Sequence, residues 1–211
     1  MRFLKGRVRY AIECMIMPTI NAYNRMRLKN KDFSIICGTC AGGGITHRLG
    51  KKFLSPTVNL WFTEKDLQKM VRNLKWYMQQ ELEFIDPEFG YPAAKCGDIV
   101  IHFNHVKTNE EAKNQWYKRR DRINYDNIWV ISSDNKLSYE DIKEFGKIPC
   151  KGKVMFTAKE YPEFDYCLYI KAYEGRGTCG TYMSDHTSIL DRFVFEKYFD
   201  YVKWLNTGRI N

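Results

Sequence analysis

The sequence predicts an α/β protein, a three-layer α/β/α sandwich around a mostly parallel sheet. Three observations carry this reading. From residue 32 onward, short apolar runs alternate with stretches whose apolar residues recur at helical spacing. One run ends in glycines and opens a basic, helix-compatible stretch, DFSIICGTCAGGGITHRLG over residues 32–50. Hydrophobic residues make up 44% and aromatic residues 15%, enough for a sizeable core and too many for a disordered chain. A length of 211 residues fits one large domain with a small appendage.

The appendage is residues 1–31, a basic amphipathic arm ahead of a single α/β domain over 32–211. The arm holds Arg2, Lys5, Arg7, Arg9, Arg25, Arg27, Lys29 and Lys31 against Glu13 alone, a net +7 of the total +9. The body is therefore near neutral, which speaks against nucleic acid as a partner. Apolar residues such as Phe3, Leu4, Val8, Ile12 and Met15 interleave with the charges. Such an arm suits an anionic membrane surface or docks on its own domain. Arg7, Arg9 and Glu13 interrupt any transmembrane span, and Pro18 is expected to end the first half. No clean apolar region precedes a small-residue cleavage site. Seven cysteines, odd in number and without a framework, agree with a reducing compartment. The expected location is the cytoplasm, with contact to the inner face of the membrane through residues 1–31.

Residues 33–37 read as the first strand and 45–52 as a short helix. Ser55-Pro56 punctuates, and 57–62 (TVNLWF) reads as a second strand. Thr63 is a good N-cap, with Glu64 and Asp66 in the first turn of a helix running to about 81. Leu67, Met70, Val71, Leu74 and Met78 give it an apolar face. Residues 86–97, with Pro87, Gly90, Pro92 and Gly97, read as loop. Then come a third strand over 98–103 (DIVIHF), a charged helix over 109–123 and a fourth strand over 127–132 (NIWVIS). A capped helix over 138–145, a fifth strand over 153–157 (KVMFT) and a sixth over 166–171 follow. Residues 175–185 read as loop and 189–205 as a closing amphipathic helix. Ligands of parallel sheets bind beyond the carboxyl ends of the strands, so the loops after strands one, three, four and five are the places to look.

Gly42, Gly43 and Gly44 follow the first strand and place backbone N–H groups where an anion binds at a helix start. Neither G-x-G-x-x-G nor G-x-x-x-x-G-K-[ST] is present. Cys37-Gly38-Thr39-Cys40 has dithiol spacing. The thioredoxin pattern opens a long helix directly, whereas Ile36 precedes this motif and three glycines follow it. A zinc site from Cys37, Cys40, His102 and His105 lacks a second C-x-x-C or a helical histidine pair, and no metal is expected. Cys40, beside a helix N-terminus, reads as a nucleophile near a histidine or as a small buried residue. Strand periodicity puts Ile99, Ile101 and Phe103 on one face and His102 on the other, with His105 in the following loop. Both histidines are candidates for general base or phosphate contact, against a capping role. On the charged helix Arg119 and Arg122 share a face, Trp116 lies on another, and guanidinium groups clamp diphosphates. The alternative is a solvated charged face.

Several stretches together carry a resemblance: residues 33–49 (FSIICGTCAGGGITHRL), 54–60 (LSPTVNL), Tyr91-Pro92, 98–105, 116–127 (WYKRRDRINYDN) and the 153–157 strand. Over roughly residues 32–206 the chain resembles a bacterial domain of unknown function found in exopolysaccharide and capsule biosynthesis gene clusters. In that family the first strand often ends Asn-Asn-Cys where this chain has Gly38-Thr39-Cys40, which leaves Cys37 without a counterpart. The resemblance implies a Rossmann-like domain and a sugar or sugar-phosphate transferase. On that expectation a nucleotide-sugar or sugar-phosphate substrate sits on Gly42–Gly44, with Trp116, Arg119 and Arg122 at its phosphates. His102 or His105 deprotonates the acceptor. No Asp-x-Asp occurs, so metal-held donor binding of the common type is not expected. No resident cofactor is expected. Two alternatives stand beside this one: a non-catalytic, membrane-associated partner of the polysaccharide machinery, and a cysteine-dependent transferase using Cys40.

Overall fold

The fold was read from a computed structural model, which describes residues 2–86, 90–183, 185 and 193–210, with side chains from residue 14 onward. The arm is one helix, Arg2–Arg27 (α1), and it continues through Pro18. Proline removes one ladder hydrogen bond, and here that loss does not end the helix. The last turns of α1 dock on the C-terminal segment and on Arg48. Asn24 Nδ2 donates to Tyr201 Oη at 3.0 Å, Arg25 Nε donates to the Arg48 carbonyl at 2.9 Å, and Arg27 pairs with Asp200. Met15 and Met26 are 79% and 78% exposed.

Ser34–Cys37 (β1) enters Ala41–Arg48 (α2). Residues 57–62 do not form the expected strand. Asn59 adopts φ +58, which breaks the extended run, and the segment makes a single bridge, Trp61 to His102. Thr63 caps Glu64–Arg72 (α3), its hydroxyl accepting from Asp66 N. The expected long helix stops there, because Asn73 leaves helical geometry before the single turn Leu74–Tyr77 (α4).

Leu82–Ile85 (β2), Ala93–Cys96 (β3) and Ile99–His102 (β4) then form an antiparallel three-stranded sheet. Strand β3 falls inside the expected 86–97 loop. The two-residue turn between β3 and β4 starts at Gly97, φ +62, a conformation that only glycine adopts without strain. The third expected strand thus exists but belongs to this meander, not to the parallel sheet.

Asn109–Arg120 (α5), Ile128–Ser133 (β5), Tyr139–Phe145 (α6), Gly152–Thr157 (β6), Cys167–Tyr169 (β7) and Tyr201–Thr207 (α7) complete the chain. Helix α6 carries a full capping box between Ser138 and Asp141. The closing helix expected over 189–205 falls partly outside the described residues. The described part is a 3-10 turn, Val194–Lys197, followed by α7.

Strands β1, β5, β6 and β7 form an all-parallel sheet in that order. The class is therefore mixed α/β, four parallel strands plus an antiparallel meander, rather than one mostly parallel sheet of six. Strand alternation sends side chains to two apolar clusters. Ile35, Trp129, Ile131, Val154 and Phe156 pack with Ala41 and Ile45 of α2 and with Phe195, Phe199 and Trp204. Ile36, Val130 and Met155 pack with Leu67 and Met70 of α3, Ile99 and Ile101 of β4, Trp116 of α5 and Phe145 of α6.

Candidate functional site

The chain leaves β1 at Gly38, whose carbonyl accepts from Phe62 N at 3.1 Å. Cys37 stays in the core. Its sulfur lies 3.4 Å from Thr39 Oγ1 and 3.6 Å from Tyr182 Oη, and those two oxygens are 2.6 Å apart. Burial pushes the Cys37 thiol up, while hydrogen bonds from Thr39, Tyr182 and the Gly42 backbone pull the other way. Ala41 N donates to Thr39 Oγ1 at 3.3 Å. The first donors of α2 thus meet Thr39 and Cys37.

The glycines do not form a cradle. A Cβ on Gly42 would stand 2.8 Å from Ile35 Cγ2 and 3.2 Å from Cys37 Cβ. On Gly43 it would stand 3.3 Å from Val58 Cγ1. Glycine is used there to seat α2 closely on β1 and on the 57–62 turn. Only Gly44 is open, with nothing within 4 Å of a Cβ.

Cys40 turns the other way, and its Sγ lies 3.3 Å from His105 Nε2. The path to that contact is structural. The Trp61–His102 bridge, with both backbone hydrogen bonds at 3.0 Å, ties the end of β4 to the turn beside α2. His105, three residues on, then reaches Cys40. Burial pushes the Cys40 thiol up, with Cys37 adding to the effect. At neutral pH Cys40 is therefore a thiol.

His102 is 7% exposed, its ring 4.3 Å from that of Trp61 and 6.1 Å from that of Tyr91. Burial lowers its pKa, with Asp66 opposing, so it is neutral at pH 7. It stands behind the Trp61 ring, while His105 meets Cys40. The two cysteines of the C-x-x-C are both free thiols with different partners. Among the described residues no group of three or more His, Cys, Asp or Glu stands ready to hold a metal.

The expected phosphate clamp is dispersed. Trp116 is 0% exposed and sits in the core, so its indole offers nothing to a ligand. Arg119 donates to the Val58 carbonyl, and burial lowers its pKa. It braces the 57–62 turn against α5. Arg122 is exposed beyond the end of α5.

A second polar group, unread in the sequence, lies at the same end of the parallel sheet. Glu64, the first residue of α3, is 7% exposed. It accepts from Ser132 Oγ at 2.6 Å and Ser133 Oγ at 2.7 Å, at the end of β5. Burial is the main cause that pushes its carboxyl up to about 7, with Asp134 adding and the serines opposing. Asp134 accepts from Cys179 N at 2.6 Å, Ala158 N at 2.7 Å and Thr178 Oγ1 at 3.0 Å. It thereby fixes the 178–180 segment over the sheet. A cavity of about 360 Å³ opens here, lined by Thr39, Trp61, Glu64, Lys65, Asn135 and Lys136 among others. Asn59 and Lys136, at φ +58 and +56, are the non-glycine residues of left-handed conformation among the described residues. Lys136 lines the cavity and Asn59 lies two residues from Trp61. Such strain concentrates at functional sites. The signal in the sequence was the polar run Ser132-Ser133-Asp134-Asn135 closing an apolar strand.

An uncharacterized protein of Haemophilus influenzae strain Rd is 35% identical to this chain over 196 residues, covering 89% of this chain and 90% of that protein. A family model described as a domain of unknown function, DUF1919, matches residues 11–206, which takes in the docked half of α1 and everything that builds this site; the chain belongs to that family.

Proposed function

We propose that this chain is a transferase of bacterial exopolysaccharide or capsule assembly that carries an acyl group on Cys40 and passes it to a sugar hydroxyl. One observation carries the chemistry: the 3.3 Å approach of Cys40 Sγ and His105 Nε2 at the carboxyl end of the parallel sheet. Burial keeps the thiol protonated, so His105 takes its proton as the sulfur attacks the carbonyl of an activated acyl donor such as a thioester. The donor's leaving group departs with that proton, and a Cys40 thioester remains. His105 then takes the proton of the sugar hydroxyl as its oxygen attacks the thioester. The ester leaves and the thiol regains its proton. The surface-polysaccharide setting rests on the sequence resemblance. The two apolar clusters on opposite faces of the parallel sheet support a Rossmann-like layering with an added meander.

The competing seat for a nucleotide diphosphate at Gly42–Gly44 has little support, since those glycines pack against β1 and the neighbouring turn. In this reading the protein works in the cytoplasm. The basic charge of α1 and its exposed Met15 and Met26 support its resting on the anionic inner face of the membrane. Among the described residues no helix is long and apolar enough to cross a membrane. The test replaces the gene in a polymer-producing bacterium with Cys40→Ala and His105→Ala variants. Proton NMR of the purified surface polymer then measures its acyl content. Loss of the acyl substituent at unchanged protein level is expected, and unchanged acylation contradicts the proposal.

A further inference from the structure

The cavity lined by Thr39 and Trp61 has a distinct chemical character. Trp61, 37% exposed, forms an aromatic wall, and His102 holds its ring from behind at 4.3 Å. Lys136 and Lys65 line the cavity, Lys65 with its ammonium 3.3 Å from Asp141 Oδ2, and Thr39, Asn135 and Glu64 contribute hydrogen-bonding groups. An aromatic face lined by polar groups suits a sugar ring, and the Lys136 ammonium suits an anion. About 360 Å³ falls in the range that small ligands fill.

We propose that this cavity binds an anionic sugar, its ring against Trp61 and its phosphate or carboxylate held by Lys136. The assignment deepens the transferase reading by naming the class of acceptor. Thr39, the residue before Cys40, lines the cavity, which is the link between this inference and the Cys40–His105 pair.

The experiment is isothermal titration of the full chain with glucuronic acid, glucose 6-phosphate, glucose and inorganic phosphate. Both anionic sugars are expected to bind, with glucose weaker by about tenfold. Trp61→Ala and Lys136→Ala, both at exposed positions, are expected to weaken the anionic sugars by about tenfold, with unchanged circular dichroism. Absence of binding by every probe overturns the assignment. So does inorganic phosphate matching glucose 6-phosphate with no effect of Trp61→Ala, which marks a bare anion site. Cys40→Ala separates this inference from the transferase reading. If that variant binds the sugars while the polymer in cells stays acylated, the cavity stands and the Cys40 mechanism falls.

Discussion

Glu64 allows a direct thermodynamic test of the site's electrostatics. The carboxyl moves from an ordinary value of 4.5 to about 7 on folding, chiefly through burial. A folded-state pKa above the unfolded one means the native protein binds this proton more tightly. Stability from this group is therefore greatest below about pH 4.5, falls as pH rises toward 7, and is flat beyond. The difference corresponds to about 3 kcal/mol lost across that window. Glu64→Gln removes the ionisation and keeps the shape. Its amide oxygen accepts from one serine and its NH2 donates to the other. Ser132, Ser133, Asp134, Tyr182 and Lys65 surround the group in both proteins, so subtracting one curve from the other cancels their common contribution. Urea unfolding followed by tryptophan fluorescence is the assay. At about pH 8 the variant is expected to be more stable by about 3 kcal/mol, and at about pH 5 the two should agree within about 1 kcal/mol. Parallel stability curves across that range would refute the reasoning.

Other outcomes follow from the same geometry. Gly42→Ala forces a Cβ to 2.8 Å from Ile35 and is expected to cost about 1–3 kcal/mol. Gly44→Ala meets nothing and is expected to gain up to about 1 kcal/mol in thermal unfolding. Equal effects at the two positions would contradict the packing role of Gly42. Arg48 and Glu196 pair with side chains only 5% and 10% exposed. Arg48→Met strands a buried carboxylate and should cost about 3 kcal/mol or more, with partial recovery in the Arg48→Met, Glu196→Gln double variant. Iodoacetamide should modify Cys40 slowly at neutral pH and faster as pH rises, while Cys37 stays unreacted in the folded protein. Mass mapping of the alkylated peptides checks both statements.

Local signals in the sequence led to the elements that local physics determines. The apolar runs of β1, β5 and β6, the Thr63 cap and the capped start of α6 at Ser138 all stand where their residues point. The meander was hidden because Ala93–Cys96 (AAKC) has little strand character of its own, and its pairing with β2 and β4 is what makes it a strand. The reverse holds for TVNLWF, a strand by composition that Asn59 turns aside. At the site, Cys40 and the two histidines were legible as residue types. Which histidine meets the thiol depends on the Trp61–His102 bridge, a contact between segments 41 residues apart in sequence. Glu64 gave no cue, because an acidic residue opening a helix is an ordinary stabilising choice. Its burial against Ser132 and Ser133 exists only in the folded chain.

The most direct test of the Cys40–His105 account is intact-protein mass spectrometry after mixing the full chain with p-nitrophenyl acetate. The account expects one acetyl adduct that maps to Cys40, disappears in Cys40→Ala and forms about a hundredfold more slowly in His105→Ala. An adduct on another residue, or one that forms on Cys40 at the same rate without His105, would contradict it.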